Sequence, residues 1–186
     1  MLDTELKQKI LDLLGEHHVM AVATLRADGW PQTTMVGYVH DALTLYFASA
    51  LISQKLANIQ RDRRISIALG HEEPTRLRGL SMAAYAEPVV DASEIEAVNA
   101  LMRTRYHERA IFSPRETASV LIRASPTVIS VIDVGKGPGA PELVSVTDER
   151  SGQRIANRER PGGEHREVTV HMVKSYDGGY RPGAPP

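Results

Sequence analysis

A hydroxyl and an ammonium group lie two residues apart at the predicted start of a short helix. Ser53 opens the segment Ser-Gln-Lys-Leu-Ala-Asn-Ile-Gln-Arg and has the residue type of a helix N-cap. A helix N-terminus offers unpaired N–H groups and the positive end of a dipole, and Lys55 adds a positive charge. This pattern is typical of a phosphate site, although a plain cap followed by a surface lysine has the same spacing.

The histidines are the main competing signal for ligand chemistry. The chain has 7 of them, and His17 and His18 are adjacent. Adjacent side chains on a strand or at a helix end point in different directions, so they make a poor metal site. We therefore expect surface or interface histidines and no metal centre, with a haem ligand as the open alternative.

Several function classes lack the residues that they need. The chain contains no cysteine, and its formal net charge of -1 does not favour a nucleic-acid partner. No Gly-x-Ser-x-Gly elbow, His-Glu-x-x-His helix or paired carboxylate spacing is present. The N-terminal segment is interrupted by charges, which argues against a signal peptide or a membrane span. We expect a cytoplasmic protein with no membrane partner.

The elements that position these residues are mostly strands. Asp28-Gly29 predicts a hairpin turn, and a second turn follows at 40–42. Periodicity predicts helices over 2–14, 53–61 and 93–109, and a capping box at Ser113 predicts a fourth helix to about Arg123. The predicted strands cover 18–25, 32–39, 43–48, 64–69, 80–90 and 127–133.

The composition changes after the sixth predicted strand. Residues 135–186 are rich in glycine and proline and contain few apolar residues. We expect a barrel domain over 1–134 and a C-terminal extension over 135–186 that packs on a partner subunit. Within the extension, 168–173 has the pattern of a strand that adds to a sheet edge.

The order of these segments carries a family resemblance. Ala21-Val-Ala-Thr-Leu, Asp28-Gly-Trp-Pro-Gln, Leu45-Tyr-Phe-Ala-Ser49, Ser53-Gln-Lys55-Leu-Ala-Asn58 and Arg64-Ile-Ser-Ile-Ala68 follow one another over roughly residues 5–134. Together they resemble the pyridoxamine 5'-phosphate oxidase-like flavoproteins. The resemblance implies a mainly β fold, a six-stranded antiparallel split β-barrel that binds flavin mononucleotide (FMN) at the interface of a homodimer.

The resemblance also implies a set of cofactor-binding residues. The strand before the phosphate loop runs along the isoalloxazine ring in the family, and Ser49 falls where a hydroxyl faces the ribityl and phosphate. The segment from Arg78 to Met82 matches a strand that reaches the flavin from the other subunit. The implied cofactor-binding residues are Thr33, Thr34, Met35, Val36, Ser49, Ser53, Gln54, Lys55 and Leu80.

The chain departs from the family pattern at four points, and three of them, all except Gly79, argue against the biosynthetic oxidase itself. Thr33 and Tyr38 stand where that enzyme has an Arg and a Lys, and Gly79 stands where the family commonly has a Gln. The single Trp, Trp30, lies in an early turn, and the Arg-rich closing motif is absent. We therefore expect an FMN-dependent oxidoreductase that acts on an unidentified small molecule. The alternatives are a deazaflavin-dependent reductase on the same fold, and a non-catalytic protein that binds flavin or haem.

Overall fold

The computed structural model describes residues 4–73, 76–106, 118–133 and 142–146 of the chain. Its three helices are α1 (Thr4–Glu16), α2 (Gln54–Arg61) and α3 (Ala92–Arg105). Its strands are β1 (Val19–Leu25), β2 (Pro31–Gly37), β3 (Val39–Asp41), β4 (Thr44–Ala50), β5 (Arg64–Glu73), β6 (Arg76–Pro88), β7 (Ser119–Asp133) and β8 (Glu142–Ser145). None of these helices is long and apolar enough to cross a bilayer.

All strand pairs are antiparallel, and the strands form one curled sheet in the order β2-β1-β5-β6-β7-β4-β3. The two ends of this order, β2 and β3, are consecutive in the chain and are separated by Tyr38 alone. Cα atoms of β2 and β4 also approach within 8 Å of one another. The sheet therefore closes on itself at Tyr38 and forms the predicted antiparallel split barrel. It has eight described strands where six are predicted, because the predicted strand 32–39 divides at Tyr38 into β2 and β3 and because β8 adds to β7.

Tyr38 is buried where the barrel closes. Its side chain is fully buried, and its hydroxyl donates to the backbone oxygen of Leu14 at the end of α1 (2.9 Å). Its own carbonyl accepts from the hydroxyl of Tyr106 after α3 (2.8 Å). Burial raises its pKa, so the phenol stays neutral and can donate. Tyr38 thus connects the ends of α1 and α3 to the point where the barrel closes.

The barrel interior is an apolar core built from alternate residues of the strands and from the inner faces of α1 and α2. Its largest fully buried side chains are Tyr38, Phe47, Ile10, Leu13, Leu14, Met20, Leu45, Ile59, Ile67, Leu80, Ile122 and Ile129. A second, smaller cluster of Val39, Tyr46, Val89, Val98 and Met102 holds α3 on the outside of the sheet.

The first hairpin forms as predicted. Gly29 adopts a left-handed conformation (φ 83°) that a residue with a side chain rarely tolerates, and its N–H donates to the carbonyl of Arg26 (2.9 Å). The carboxylate of Asp28 accepts from the N–H of Trp30 (3.1 Å). The turn fixes the β1–β2 register, in which Thr24 faces Gln32 and Val22 faces Thr34.

One predicted helix is wrong in its last part. Residues 119–123 begin β7 instead of ending a helix, and they pair with β4. The apolar run from Val120 to Ile122 gains more from burial in the sheet than from a helical turn, since Ile122 is fully buried opposite Phe47. The rest of that prediction, 113–118, lies almost entirely outside the described residues.

The sheet continues into the predicted C-terminal extension. β8 pairs with residues 128–131 of β7, and the N–H of Val146 donates to the carbonyl of Thr127 (2.8 Å). The boundary near residue 134 stays a prediction. The strand predicted over 168–173 lies outside the described residues.

Candidate functional site

The candidate phosphate site lies at the junction of β4 and α2. The oxygen of Ser53 accepts from the N–H of Leu56 (3.1 Å), so Ser53 is the N-cap that the sequence predicts. The hydroxyl of Ser53 also lies 2.9 Å from that of Ser49, a buried residue at the end of β4. Both predicted hydroxyls therefore meet at the helix N-terminus.

The ammonium group of Lys55 is half-buried beside this terminus. Its Nζ lies 5.5 Å from the centroid of the Phe47 ring, a geometry that permits a cation–π contact. Burial lowers the pKa of Lys55, and no nearby charge contributes to the shift. Within the described part of the chain, no carboxylate forms an ion pair with Lys55. A desolvated cation without a counter-ion favours binding of an anion.

A polar network inside the barrel links α2 to the first two strands. Asn58 is 1% exposed, and its Nδ2 donates to Oγ1 of Thr24 (2.9 Å) and to Oε1 of Gln32 (3.1 Å). Its Oδ1 accepts from Nε2 of Gln54 (2.9 Å). The predicted ligand residue Gln54 is thereby tied to the core. The strand β2 is tied to the same asparagine.

Thr34 lies two residues after Gln32 and therefore on the same, inner face of β2. Its Oγ1 is buried and has no hydrogen-bond partner among the described residues. An unpaired buried hydroxyl costs free energy unless a ligand or water satisfies it. Thr34 is therefore a binding candidate on structural grounds as well as by resemblance.

The four predicted residues of β2 do not share one face. Thr33 and Met35 are exposed on the outer face, whereas Thr34 and Val36 point inward and Val36 belongs to the core. Side chains of all four cannot contact one ligand on one side of the sheet, because strand side chains alternate. Contacts from both faces, or from the backbone, are needed if all four serve one ligand.

The β5–β6 pair explains one departure from the family. Leu80 is buried in the core, so only its backbone is available to a ligand. Gly79 faces Gly70, and a Cβ atom on Gly79 would lie 2.4 Å from the carbonyl oxygen of Leu69. The Gln that the resemblance implies at position 79 does not fit this backbone.

Asn58, Thr24 and Gln32 belong to this site but are not predicted by the sequence pattern. A signal was available, because asparagine is a poor helix former and Asn58 lies between apolar Leu56 and Ile59 in a predicted helix. Such a residue needs a buried hydrogen-bond partner to be tolerated. The identity of that partner depends on tertiary packing and could not be read from the sequence.

The histidines do not assemble a metal site in the described part of the chain. No group of three His, Asp or Glu side chains there could hold a metal ion. His18 lies edge-on to Tyr106, with ring centroids 5.9 Å apart, and His40 lies 3.0 Å from the carbonyl of Ala42. Both contacts lie outside the polar network around Asn58.

Comparison with known proteins establishes the family. The pyridoxamine 5'-phosphate oxidase family model matches residues 6–133. General stress protein 26 of Bacillus subtilis (strain 168) is 32% identical over 68 residues, which cover 37% of this chain and 48% of that protein. The match thus spans about half the length of this relative. The chain belongs to the pyridoxamine 5'-phosphate oxidase family.

Solved structures show the same fold at low identity. General stress protein 26 of Bacillus anthracis str. Sterne has a TM-score of 0.59 and 21% identity, covering 77% of this chain and all of that one (100%). HutZ of Vibrio cholerae, described as a heme storage protein, has a TM-score of 0.56 and 22% identity, covering 64% and 88%. The split-barrel fold of this chain is therefore shared with proteins of different stated roles.

Proposed function

We propose that this protein binds FMN and acts as an FMN-dependent oxidoreductase on a small molecule. The observation that carries the proposal is Lys55, a half-buried ammonium group that has no ion-pair partner in the described chain and lies beside the N-terminus of α2. A phosphate monoester supplies the missing negative charge. The family to which the chain belongs usually binds flavin, which supports FMN as the source of that phosphate.

The residues present fit the two ends of this cofactor. Lys55, Ser53 and Ser49 would hold the phosphate with one charge, two hydroxyls and the first N–H groups of α2. Thr34 would give its unpaired hydroxyl to the ring or the ribityl chain, together with the backbone of β2. Gln54 follows Ser53 in the chain and donates to Oδ1 of Asn58, and from there it would orient the phosphate end.

FMN, when bound, supplies the redox chemistry by accepting or giving a hydride at N5 of its ring. The chain then has to bind and orient the cofactor and exclude water from it. The described site contains no carboxylate or histidine in the network around Asn58, in keeping with a reaction that demands no protein acid or base.

We further propose that two copies of the chain pair through the outer face of the sheet. This face carries small or apolar side chains at Val19, Ala21, Ala23, Leu25, Met35, Ala68, Ser81 and Ala83. Val19 and Met35 are 48% and 66% exposed there. The uncharged part of this face, which ends at Arg64 opposite Tyr85, suits a second copy of itself. In this proposal the 135–186 extension packs on the partner, and the protein is cytoplasmic.

Absorbance of the purified protein tests the cofactor directly. Flavin bands, released together with FMN on denaturation, support the proposal. A Soret band would instead support haem binding, which the fold shared with HutZ makes the second candidate. A colourless protein that gains no flavin bands on titration with FMN would contradict FMN binding, and the deazaflavin alternative would then be tested by the same titration.

Reduction tests the enzymatic part. Addition of NADH or NADPH to the FMN-loaded protein without oxygen should bleach the flavin bands. Free FMN at the same concentration is the control. Bleaching no faster than in that control would count against a nicotinamide-linked reductase while leaving FMN binding in place.

A further inference from the structure

We infer that Asn58 is a positioning residue that holds the phosphate end and the ring end of the cofactor site at a fixed separation. The inference rests on the proposed function, because it concerns how the FMN site is assembled. Asn58 belongs to α2, whose N-terminus lies beside Lys55, and it bonds to β2 through Gln32. It therefore joins the two elements that would contact opposite ends of FMN.

The bonds of Asn58 leave little freedom between these elements. Its amide donates to Thr24 on β1 and to Gln32 on β2, residues that face each other across the β1–β2 ladder. Its oxygen accepts from Gln54 in the first turn of the same helix. Both ends of one side chain are thus engaged, and α2 cannot slide along the barrel without breaking buried hydrogen bonds.

Because Asn58 is buried, loss of its hydrogen bonds should lower the stability of the contact between α2 and the first two strands. Asn58 is 1% exposed and Thr24 is 4% exposed, so water does not compensate for a lost bond at either residue. An apolar side chain in place of Asn58 would leave polar atoms of Thr24 and Gln32 without their partner. The helix would then be held by the packing of Leu56 and Ile59 and by the bond from Arg61 to the carbonyl of Leu25, and its position along the barrel would be less closely fixed.

Asn58 itself is placed behind the ligand site and not within it. Its amide groups are taken up by Thr24, Gln32 and Gln54, which leaves no free donor for FMN. Its effect on binding should therefore appear only when a ligand contacts both ends at once. FMN spans the phosphate and ring ends, whereas riboflavin lacks the phosphate.

The test compares the dissociation constants (Kd) of FMN and riboflavin in Asn58→Ala and the native protein, measured by quenching of flavin fluorescence. Both ligands carry the same ring, so the ratio of the riboflavin Kd to the FMN Kd reports how much the phosphate contributes to binding. We expect Asn58→Ala to lower this ratio about tenfold, with riboflavin Kd changed by less than about threefold. Gln60→Ala, an exposed amide two residues along the same helix, should leave both constants unchanged.

A second variant covers failure of Asn58→Ala to fold. Gln32→Met cuts only the bond to β2, since Thr24 and Gln54 keep their bonds to Asn58, and it should lower the ratio in the same direction.

Parallel weakening of FMN and riboflavin, with an unchanged ratio, would overturn the inference and make Asn58 a residue of general stability. Absence of FMN binding in the native protein would overturn the proposed function, and the inference with it, and is recognised before any variant is made.

Discussion

At the scale of single residues, the candidate site is defined by charge and by unmet hydrogen-bonding capacity. The ammonium group of Lys55 is partly removed from water, and it lies over the ring of Phe47. Thr34 has a buried hydroxyl without a partner in the described chain. Both residues keep binding capacity that the fold does not use. Asn58 differs from them, because both of its N–H donors are already bonded to Thr24 and Gln32.

Replacement of Lys55 by alanine should weaken FMN binding by about 1.5–3 kcal/mol, the usual scale for a charge-assisted hydrogen bond. Affinity for riboflavin should change little, because the phosphate is the partner that is lost. Titration of flavin fluorescence measures both. Lys7→Ala, at an exposed lysine of α1, is the matched control. Unchanged FMN affinity in Lys55→Ala would remove Lys55 from the phosphate site.

The affinity for FMN should also depend on pH above neutrality. Burial lowers the pKa of Lys55 below its ordinary 10.5, and a bound phosphate favours the charged form and raises it again. Binding therefore takes up a proton in the range between these two pKa values. Affinity should fall as the pH rises through the lowered pKa towards 10.5.

Lys55→Arg provides the control for this pH dependence, because the guanidinium stays charged throughout the range. Any decrease in FMN affinity that comes from ionisation of the ligand would also appear in Lys55→Arg. The difference between the two affinity profiles isolates the titration of Lys55. Coincident profiles would show that Lys55 does not exchange a proton on binding.

At the scale of elements, α3 is fastened to the sheet by a network of ion pairs. Arg123 of β7 bonds to both carboxylate oxygens of Glu94 (2.9 Å each) and to Glu87 of β6. The hydroxyl of Tyr46 donates to the same Glu94 (2.9 Å). Arg63 completes the chain of charges by pairing with Glu87. The network connects α3 to three strands.

Arg123→Met should destabilise the protein by about 1–2 kcal/mol, less than for a fully buried pair because the partners are partly solvated. Arg103→Met, which breaks the exposed pair with Glu96, should cost less than about 0.5 kcal/mol. Urea unfolding measures both. Equal effects of the two substitutions would show that the network contributes no more than a surface pair.

The loss of folding stability caused by Arg123→Met should also depend on pH. The hydrogen bond from Arg123 lowers the pKa of Glu87 below its ordinary 4.5. A lowered folded pKa gives stability that is present above 4.5 and is lost as the pH falls through the folded value. The difference in stability between the native protein and Arg123→Met should therefore shrink over that acidic range.

Local signals predicted most elements, and the failures have a physical cause. Ser53, Asp28 and Gly29 act within a few residues of themselves, so the cap and the hairpin could be predicted. The start of β7 could not, since the segment from Val120 to Ile122 follows a capping box and is decided by pairing with β4. The link from Asn58 to Gln32 joins residues 26 positions apart, and no local pattern specifies it.

At the scale of the whole molecule, the continuity of β2 and β3 closes the barrel. The helix α3 packs on one part of the outer face, and the exposed side chains of β1 and β2 lie on the remaining part. Met35 lies on this face with two thirds of its surface exposed. It faces Ala21, and Ala21 faces Ala68, so the face is smooth around it. A second copy could approach closely here.

Met35→Asp should raise the dissociation constant of the proposed homodimer at least about tenfold, because two-fold symmetry places the new charge twice in one apolar interface. Sedimentation or light scattering over a concentration series measures this. Gln60→Asp, an equivalent charge on exposed α2, should leave the association unchanged. A native protein that stays monomeric at high concentration would contradict the proposed pairing.

The glycine pair in β5 and β6 restricts how this sequence could change over time. A Cβ on Gly70 would lie 2.8 Å from the carbonyl oxygen of Arg78, and a Cβ on Gly79 would lie 2.4 Å from that of Leu69. Each position is therefore closed to a larger residue by the neighbouring strand, whatever residue occupies the other position. A Gln at position 79 becomes possible only after the two strands have moved apart, so that change depends on earlier substitutions elsewhere.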